Sequence, residues 1–151
     1  MKKLFVILVV AMGLSMTAGA QSRAIGVRTG MLSYERYFGD PNFVELNVGW
    51  DYTGILAVGT YNWLFAQPDW TPAGEWGIYG GPGVAVGRST DDDDHGAFAF
   101  GATVQVGIEY TFSIPIMISA DVRPMFGLAD GKFWKKGMNG FIPSLAIRYR
   151  F

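Results

Sequence analysis

Side chains that could do chemistry are densest in a run of four aspartates followed by the one histidine of the chain: Asp91, Asp92, Asp93, Asp94 and His95. A Ser–His–acid catalytic site needs a histidine near a positioned serine, and Ser89 is close by in sequence. Such a strongly charged segment is nevertheless typical of a solvated loop. The chain also has no cysteine. We therefore expect no enzymatic activity and no catalytic residues.

The same carboxylates raise the question of a cation site, because Ca²⁺ takes oxygen ligands. Adjacent residues of an extended loop point in different directions, and the distal glutamate of an EF-hand loop is missing. We therefore expect a solvated acidic loop without metal or cofactor, and Ca²⁺ binding is the alternative.

A second segment combines cations with aromatic rings. Its interaction candidates are Lys132, Phe133, Trp134, Lys135 and Lys136. Basic residues beside aromatic residues are common where a protein meets lipid headgroups. The segment could rest on anionic headgroups, form a plain exposed loop, or pair with the aspartate run.

β-strands must position these segments, because apolar and polar residues alternate along most of the chain. The clearest case is Phe98–Phe112, whose 15 residues keep one parity, whereas soluble strands average about five or six residues. The alternation predicts eight strands, within 24–31, 34–38, 44–50, 54–65, 76–88, 98–112, 116–128 and 141–151. The predicted connections are Leu32-Ser33, Gly39–Asn42, Asp51–Thr53, Gln67–Glu75, Ser89–Gly96, Ser113–Pro115 and Ala129–Gly140.

Prolines mark weak points in these strands, because proline has no N–H to donate to a neighbouring strand. Pro82 lies in mid-strand, so we expect a bulge or a local break there. Pro124 and Pro143 raise the same problem near strand ends. An even number of antiparallel strands can nevertheless close into a barrel without an exposed edge.

The polar faces of the strands hold mostly small residues and few charges. This composition suits the narrow interior of an eight-stranded barrel better than a water-exposed surface. The charges balance, and buried charges persist only when they are paired. We predict a charge network in the lumen, made of Arg28, Glu45, Asp51, Glu109, Asp121, Arg123, Arg148 and Arg150. The alternative is a set of unrelated exposed charges.

Aromatic residues fall at two ends of the predicted barrel. One group is Phe43, Trp63, Phe65, Trp76, Tyr110, Phe112, Tyr149 and Phe151, and the other is Trp50, Tyr52, Phe98, Phe100, Phe126 and Phe141. Two aromatic belts around an aliphatic band are typical of a barrel that crosses a bilayer. If the apolar faces pointed inward instead, the protein would be a soluble periplasmic carrier of an apolar ligand.

The N-terminal segment predicts export. Lys2 and Lys3 precede an apolar run, Leu4–Leu14, and Ala18-Gly19-Ala20 is typical of a signal-peptide cleavage site. The run of 11 residues is too short for a membrane-spanning helix, which needs about 20. We predict a signal peptide at 1–20 and one barrel domain at 21–151. With 12 basic and 13 acidic residues, the chain has no excess of cations for nucleic-acid binding.

The last strand, Ser144-Leu-Ala-Ile-Arg-Tyr-Arg-Phe151, places one aromatic residue two positions before a final phenylalanine. From Ala24 onwards the chain resembles the small eight-stranded outer-membrane β-barrels of Gram-negative bacteria, which include OmpX and the OmpA membrane domain. The segments Ala24-Ile-Gly-Val-Arg-Thr-Gly30 and Gly107-Ile-Glu-Tyr-Thr-Phe112 look like those of a family of short uncharacterised barrels.

The resemblance implies that Tyr149 and Phe151 form the signal read by the barrel-assembly machinery. Periplasmic chaperones during biogenesis and outer-membrane lipid are the other implied partners. The resemblance implies no one activity, because such barrels include adhesins, structural proteins, channels and lipid-modifying enzymes.

Together these features predict an all-β fold, a monomeric eight-stranded antiparallel up-and-down transmembrane barrel in the bacterial outer membrane. We expect a plugged lumen and a structural or surface-interaction role, carried by Ser89–Gly96 and Ala129–Gly140. A narrow channel for small solutes is the alternative, and the soluble carrier is the third interpretation.

Overall fold

The computed structural model describes residues 22–39, 41–51, 54–89, 98–129, 132–136 and 143–151. The predicted signal peptide, the aspartate run and His95 lie outside these ranges, as do Tyr52 and Phe141. Among the described residues, no helix has the length and apolar character needed to cross a membrane.

The described chain forms one antiparallel sheet in which strand pairing returns to its starting point. The strands are β1 (Arg23–Arg28), β2 (Met31–Tyr37), β3 (Asn42–Asp51), β4 (Gly54–Ala66), β5 (Gly74–Ser89), β6 (Phe98–Phe112), β7 (Ile116–Val122), β8 (Met125–Ala129), β9 (Lys132–Lys136) and β10 (Pro143–Arg150). Their order is β5-β4-β3-β2-β1-β10-β7-β6-β8-β9, and pairing of β5 with β6 closes the sheet.

Ten segments make eight wall strands. Both β7 and β8 pair with β6, so they are two parts of the seventh wall strand. In the same way β9 pairs with β8 and β10 pairs with β7, so they are two parts of the eighth. The all-β, closed eight-stranded antiparallel barrel predicted from the alternation is therefore confirmed.

Burial alternates along the strands and shows which face is inside. On β6, Gln105 is fully buried, whereas the side chains of Val104 and Val106 are 54% and 56% exposed. The polar faces line the lumen and the apolar faces point outward. A soluble barrel carrying an apolar ligand would need the opposite orientation.

The barrel has a lower rim and an upper rim. The lower rim contains Ser22, the connections 67–73 and 113–115, and Phe151. The upper rim contains the Thr29-Gly30 turn and the strand ends at Gly54, Ser89 and Phe98.

The first hairpin turns three residues earlier than the predicted Leu32-Ser33 connection. Arg28 pairs with Met31, which leaves Thr29-Gly30 as a two-residue turn, and Gly30 has a φ of 75°. Glycine adopts this conformation without the strain that a Cβ causes. The earlier turn changes the phase of β2, so that Met31 packs against the buried cluster of Leu56, Val58 and Ala85. Alternation along the predicted strand 24–31 puts Met31 on the outer apolar face with Ile25 and Val27, and that prediction is wrong.

The prolines have different effects. β5 continues through Pro82, which pairs with Val104 on β6. On the other side of β5, Pro82 has no partner on β4, but the register of the β4–β5 pairing is the same before and after it. The irregularity in register lies between Leu64 and Ala66 on β4. Pro124 divides the predicted strand 116–128, because Arg123 and Pro124 separate β7 from β8. Pro143 is the first residue of β10.

The segment Ala129–Gly140 is not the continuous loop that we predicted. Lys132–Lys136 forms β9, which pairs with β8 from Ala129↔Lys132 to Met125↔Lys136. Backbone hydrogen bonds to β8 extend the wall here, although the segment has no clear apolar alternation. The side chains of Lys132, Phe133, Trp134, Lys135 and Lys136 are outside the described part of the structure.

Candidate functional site in the lumen

Glu45 on β3 lies at the centre of a buried ion-pair network, with a side chain that is 0% exposed. Its Oε1 atom forms ion pairs with three guanidinium groups, those of Arg28 at 2.8 Å, Arg123 at 3.0 Å and Arg148 at 3.0 Å. Its Oε2 atom accepts a hydrogen bond from Gln105 Nε2 at 2.9 Å. One carboxylate therefore holds groups from four separate parts of the barrel wall.

Asp121 on β7 is the second acidic centre. Its Oδ2 atom accepts hydrogen bonds from Arg28 Nη1 and, at 3.1 Å, from the Tyr79 hydroxyl. Its Oδ1 atom accepts a hydrogen bond from the Ser144 hydroxyl at 2.9 Å. Arg28 therefore bridges the carboxylates of Glu45 and Asp121 across the lumen.

Arg148 on β10 is buried, with 1% of the residue exposed, and each nitrogen of its guanidinium has a polar partner. Nε donates to Ser33 Oγ at 2.8 Å and Nη1 donates to Ser119 Oγ at 2.7 Å. Nη2 lies 3.0 Å from Oε1 of both Glu45 and Glu35. Burying a guanidinium is costly unless its donors are satisfied in this way.

Glu109 on β6 lies nearer the lower rim and is bound by a tyrosine. The Tyr37 hydroxyl is 3.2 and 3.3 Å from the two carboxylate oxygens of Glu109. The guanidinium of Arg150 lies 5.2 Å from the centre of the Tyr37 ring and donates a hydrogen bond to Thr111 at 3.1 Å. These groups line a cavity of about 420 Å³ that opens at the lower rim.

Phe43 is in the lumen and not in the outer aromatic belt, so that prediction is wrong. Its ring is 0% exposed and lies between those of Tyr37 and Tyr79, with centroid separations of 4.9 and 5.3 Å. Phe43 has the same parity as Glu45 on β3, which turns it inward. Gly107 makes room for the Tyr79 ring, which a Cβ at that position would meet at 2.6 Å.

The structure brings five of the predicted lumen charges into direct ion-pair contact and places two more nearby. The five are Arg28, Glu45, Asp121, Arg123 and Arg148, and the two are Glu109 and Arg150. Asp51 is the last residue of β3, and its side chain is outside the described part of the structure.

Sequence reasoning missed Glu35, which is fully buried against Arg148. The segment Tyr34-Glu35-Arg36-Tyr37 places one charge and one tyrosine on each face, so composition could not decide which face is inside. The Thr29-Gly30 turn is the signal that could have found Glu35, because a two-residue hairpin fixes the phase of β2.

The described residues contain no group of three or more His, Asp or Glu side chains placed to hold a metal ion. Towards the upper rim the lumen contains a small apolar cluster. There the buried side chains of Leu56, Val58 and Ala85 pack with Met31 and Met125.

A closed eight-stranded barrel with ion pairs inside and apolar side chains outside defines the class of fold. The chain is similar in structure to the N-terminal β-barrel domain of Pseudomonas aeruginosa OprF, with a TM-score of 0.54 and 16% sequence identity. The match covers 85% of this chain and 94% of that one. The predicted resemblance is thus confirmed at the level of the fold. No protein-family model matches the chain, and a search of curated proteins found no match.

The Glu45 centre generates a stability prediction. Glu45→Ala leaves three guanidinium groups around an empty acceptor position, so we expect it to lower the free energy of unfolding by about 3–5 kcal/mol. Glu75→Ala, which removes an exposed glutamate at the lower rim, is the control and should leave stability unchanged. Urea unfolding in lipid vesicles, followed by tryptophan fluorescence, measures both.

A double variant tests whether the network acts as a unit. Arg123→Ala combined with Glu45→Ala should cost less than the sum of the two single variants, because both single variants remove the same Glu45–Arg123 ion pair. Strict additivity, or a loss for Glu45→Ala no larger than for Glu75→Ala, would contradict the network.

Proposed function

We propose that the protein is an integral β-barrel of the bacterial outer membrane, with a structural or surface-interaction role and no enzymatic activity. The observation that carries this proposal is the distribution of side chains. Outward-facing Leu145 and Ile147 are 67% and 59% exposed, whereas Glu45 and Arg148 inside are 0% and 1% exposed. In water this exterior would be a large aggregation-prone surface. In lipid the same side chains are favourably solvated, and the closed barrel pairs its backbone internally.

Aromatic side chains at both rims support the same environment. Trp50 and Phe98 near the upper rim are 72% and 67% exposed, and Phe65 and Trp70 near the lower rim are 66% and 59% exposed. Amphipathic rings favour the two boundaries between lipid and water. The separation of these two groups therefore agrees with one hydrocarbon layer between two interfaces.

The outer-membrane location rests on sequence features. Lys2, Lys3 and the apolar run Leu4–Leu14 are typical of an exported precursor. Tyr149 and Phe151 resemble the terminal signal of outer-membrane barrels. The structure adds that Phe151 exchanges two backbone hydrogen bonds with Arg23, at 3.1 and 2.8 Å, so the last residue takes part in closing the wall.

Side chains packed in the described part of the lumen support a structural or surface role over transport. The ion pairs around Glu45 span the middle, and the packed side chains of Met31, Leu56 and Met125 lie above them. An eight-stranded barrel leaves little space once side chains fill it. The cavity of about 420 Å³ at the lower rim is the observation that keeps a narrow channel as the second candidate.

Membrane extraction and gel migration test the proposal together. We expect the protein to remain in the outer-membrane fraction after alkaline washing and to run faster on a detergent gel when it is not boiled. The closed hydrogen-bonded wall should resist detergent until it is heated. Recovery in the soluble periplasmic fraction, with no heat-dependent shift, would overturn the membrane barrel.

Planar-bilayer recordings of the same preparation separate the two candidate roles. A filled lumen should give no steady conductance, with a large porin in the same bilayer as the positive control. Reproducible single-channel steps would favour the narrow channel.

The aromatic ring of Phe151 generates a further prediction. Phe151→Ala removes the ring but retains the backbone hydrogen bonds to Arg23, so we expect export with severalfold less assembled barrel. Phe65→Ala removes an exposed aromatic ring near the same rim and is the control. The amount of heat-shifted protein in the outer membrane, relative to the amount of cleaved precursor, measures assembly. Equal assembly of Phe151→Ala and Phe65→Ala would show that Phe151 is not a specific signal.

A further inference from the structure

Two arginines face outward, directly opposite one another, beside the lower rim. Arg23 on β1 pairs with Arg36 on β2, and their neighbours Ala24 and Glu35 are both fully buried inside. Alternation therefore turns both arginine side chains to the outside of the barrel. The arginines bound to Glu45 face the lumen, so this outward pair needs a separate explanation.

The hydrogen-bond pattern brings the two side chains close together. Arg23 directs its backbone N–H and C=O to Phe151 on the other side, at 3.1 and 2.8 Å. Arg23 and Arg36 therefore form a non-hydrogen-bonded pair, the type in which opposite Cα atoms are about 4.5 Å apart and side chains are closest. Like charges in this arrangement repel each other.

The ring of Phe38 limits the freedom of the Arg36 side chain. The guanidinium of Arg36 lies 5.2 Å from the centre of the Phe38 ring. Phe38 is held in turn by a hydrogen bond from its N–H to the carbonyl of Asn42 at 3.0 Å. A guanidinium held over an aromatic face keeps its donor edges available to another group.

No carboxylate of the described residues forms an ion pair with Arg23 or Arg36, whereas Glu45 alone binds three arginines inside. The adjacent row towards the barrel centre consists of Tyr34, Ile25 and Tyr149, which pair across β2, β1 and β10. Tyrosine is typical of the lipid–water boundary. The arginine pair is therefore one row outside that boundary, at the depth of phospholipid headgroups.

We propose that Arg23 and Arg36 together bind the phosphate of an anionic phospholipid headgroup. The two guanidinium groups supply N–H donors to one phosphate, and the phosphate neutralises their repulsion. The acyl chains of the same lipid lie along the apolar outer surface that continues upward through Ile25 and Val27, which is 59% exposed. This inference rests on the proposed membrane location, since a barrel in water would offer no headgroup to this pair.

Native mass spectrometry of the detergent-solubilised protein tests the site with phosphatidylglycerol and phosphatidylcholine that carry the same acyl chains. Each basic residue near an anionic headgroup contributes a factor of about five in affinity. We therefore expect Arg23→Gln/Arg36→Gln to bind phosphatidylglycerol about 30-fold more weakly than the wild type does. Binding of phosphatidylcholine should weaken less, because its choline cation offsets the charge of its phosphate.

Arg88→Gln is the matched control. Arg88 is an exposed arginine near the upper rim, and its strand partners are Ile55 and Phe98, so no second arginine faces it. Its substitution should leave phosphatidylglycerol binding unchanged. Arg23→Lys/Arg36→Lys keeps both charges and should lose less affinity than the glutamine variant, because lysine retains the attraction but not the paired donors.

The stability of the barrel gives a second measurement. In phosphatidylcholine vesicles Arg23→Gln/Arg36→Gln should unfold at the same or a higher urea concentration than the wild type, because the repulsion is gone. In phosphatidylglycerol vesicles the wild type should be the more stable. If the wild type and the glutamine variant had the same order of stability in both lipids, the proposed headgroup site would be overturned.

The remaining outcomes separate this site from the membrane proposal. A heat-shifted barrel that binds the two lipids equally, or that keeps its preference in the glutamine variant, overturns the headgroup site alone. Inorganic phosphate that binds as tightly as phosphatidylglycerol overturns the lipid as the occupant. A protein with no heat-dependent shift and no bound lipid overturns the membrane barrel itself.

Discussion

The interior of the barrel depends on the ion pairs of Glu45. Arg28 and Arg148 reach this carboxylate from β1 and β10, the strands that form the seam between the two ends of the chain. In the seam Gly26 pairs with Arg148, and a slip by one residue would turn Arg148 outward. A guanidinium pointing into lipid is strongly unfavourable. The Glu45 centre therefore fixes the register of the strand pair that closes the barrel.

Such a network contributes more to specificity than to net stability. Removing charges from water is costly, and the attraction between them in the interior roughly offsets that cost. What the network excludes is the inverted barrel, in which four arginines and four carboxylates would replace apolar side chains on the outside. The apolar exterior and the charged interior thus have one cause. Apolar and polar residues alternate along the strands, and in lipid only the barrel with its polar faces inward is favourable. The headgroup site uses the same alternation, since one step along β1 or β2 separates an interior residue from an outward arginine.

Strand alternation was enough to predict the barrel and most lumen charges, because each long strand keeps one parity. It could not place residues whose phase is set by a turn. Met31 and Glu35 follow the two-residue turn at Gly30, and neither their composition nor their neighbours distinguish the two faces of β2. Phe43 was misplaced because an aromatic ring suits either a belt or a buried aromatic cluster, and its contacts with Tyr37 and Tyr79 form only in three dimensions. The extra strand β9 depends on pairing with β8, which no local pattern in Lys132–Lys136 reveals.

Contact between the apolar face of the strands and lipid can be measured directly, because the chain has no cysteine. We would introduce single cysteines at Val104, midway along β6 on the outer face, and at Asp69, which is exposed in the connection 67–73, and attach a fluorescent label to each. If the outer face contacts lipid, quenchers attached to acyl chains should dim the label at position 104 and aqueous iodide should not, with the reverse at position 69. A label at position 104 that is quenched by iodide and unaffected by the lipid quenchers would show that this face is in water.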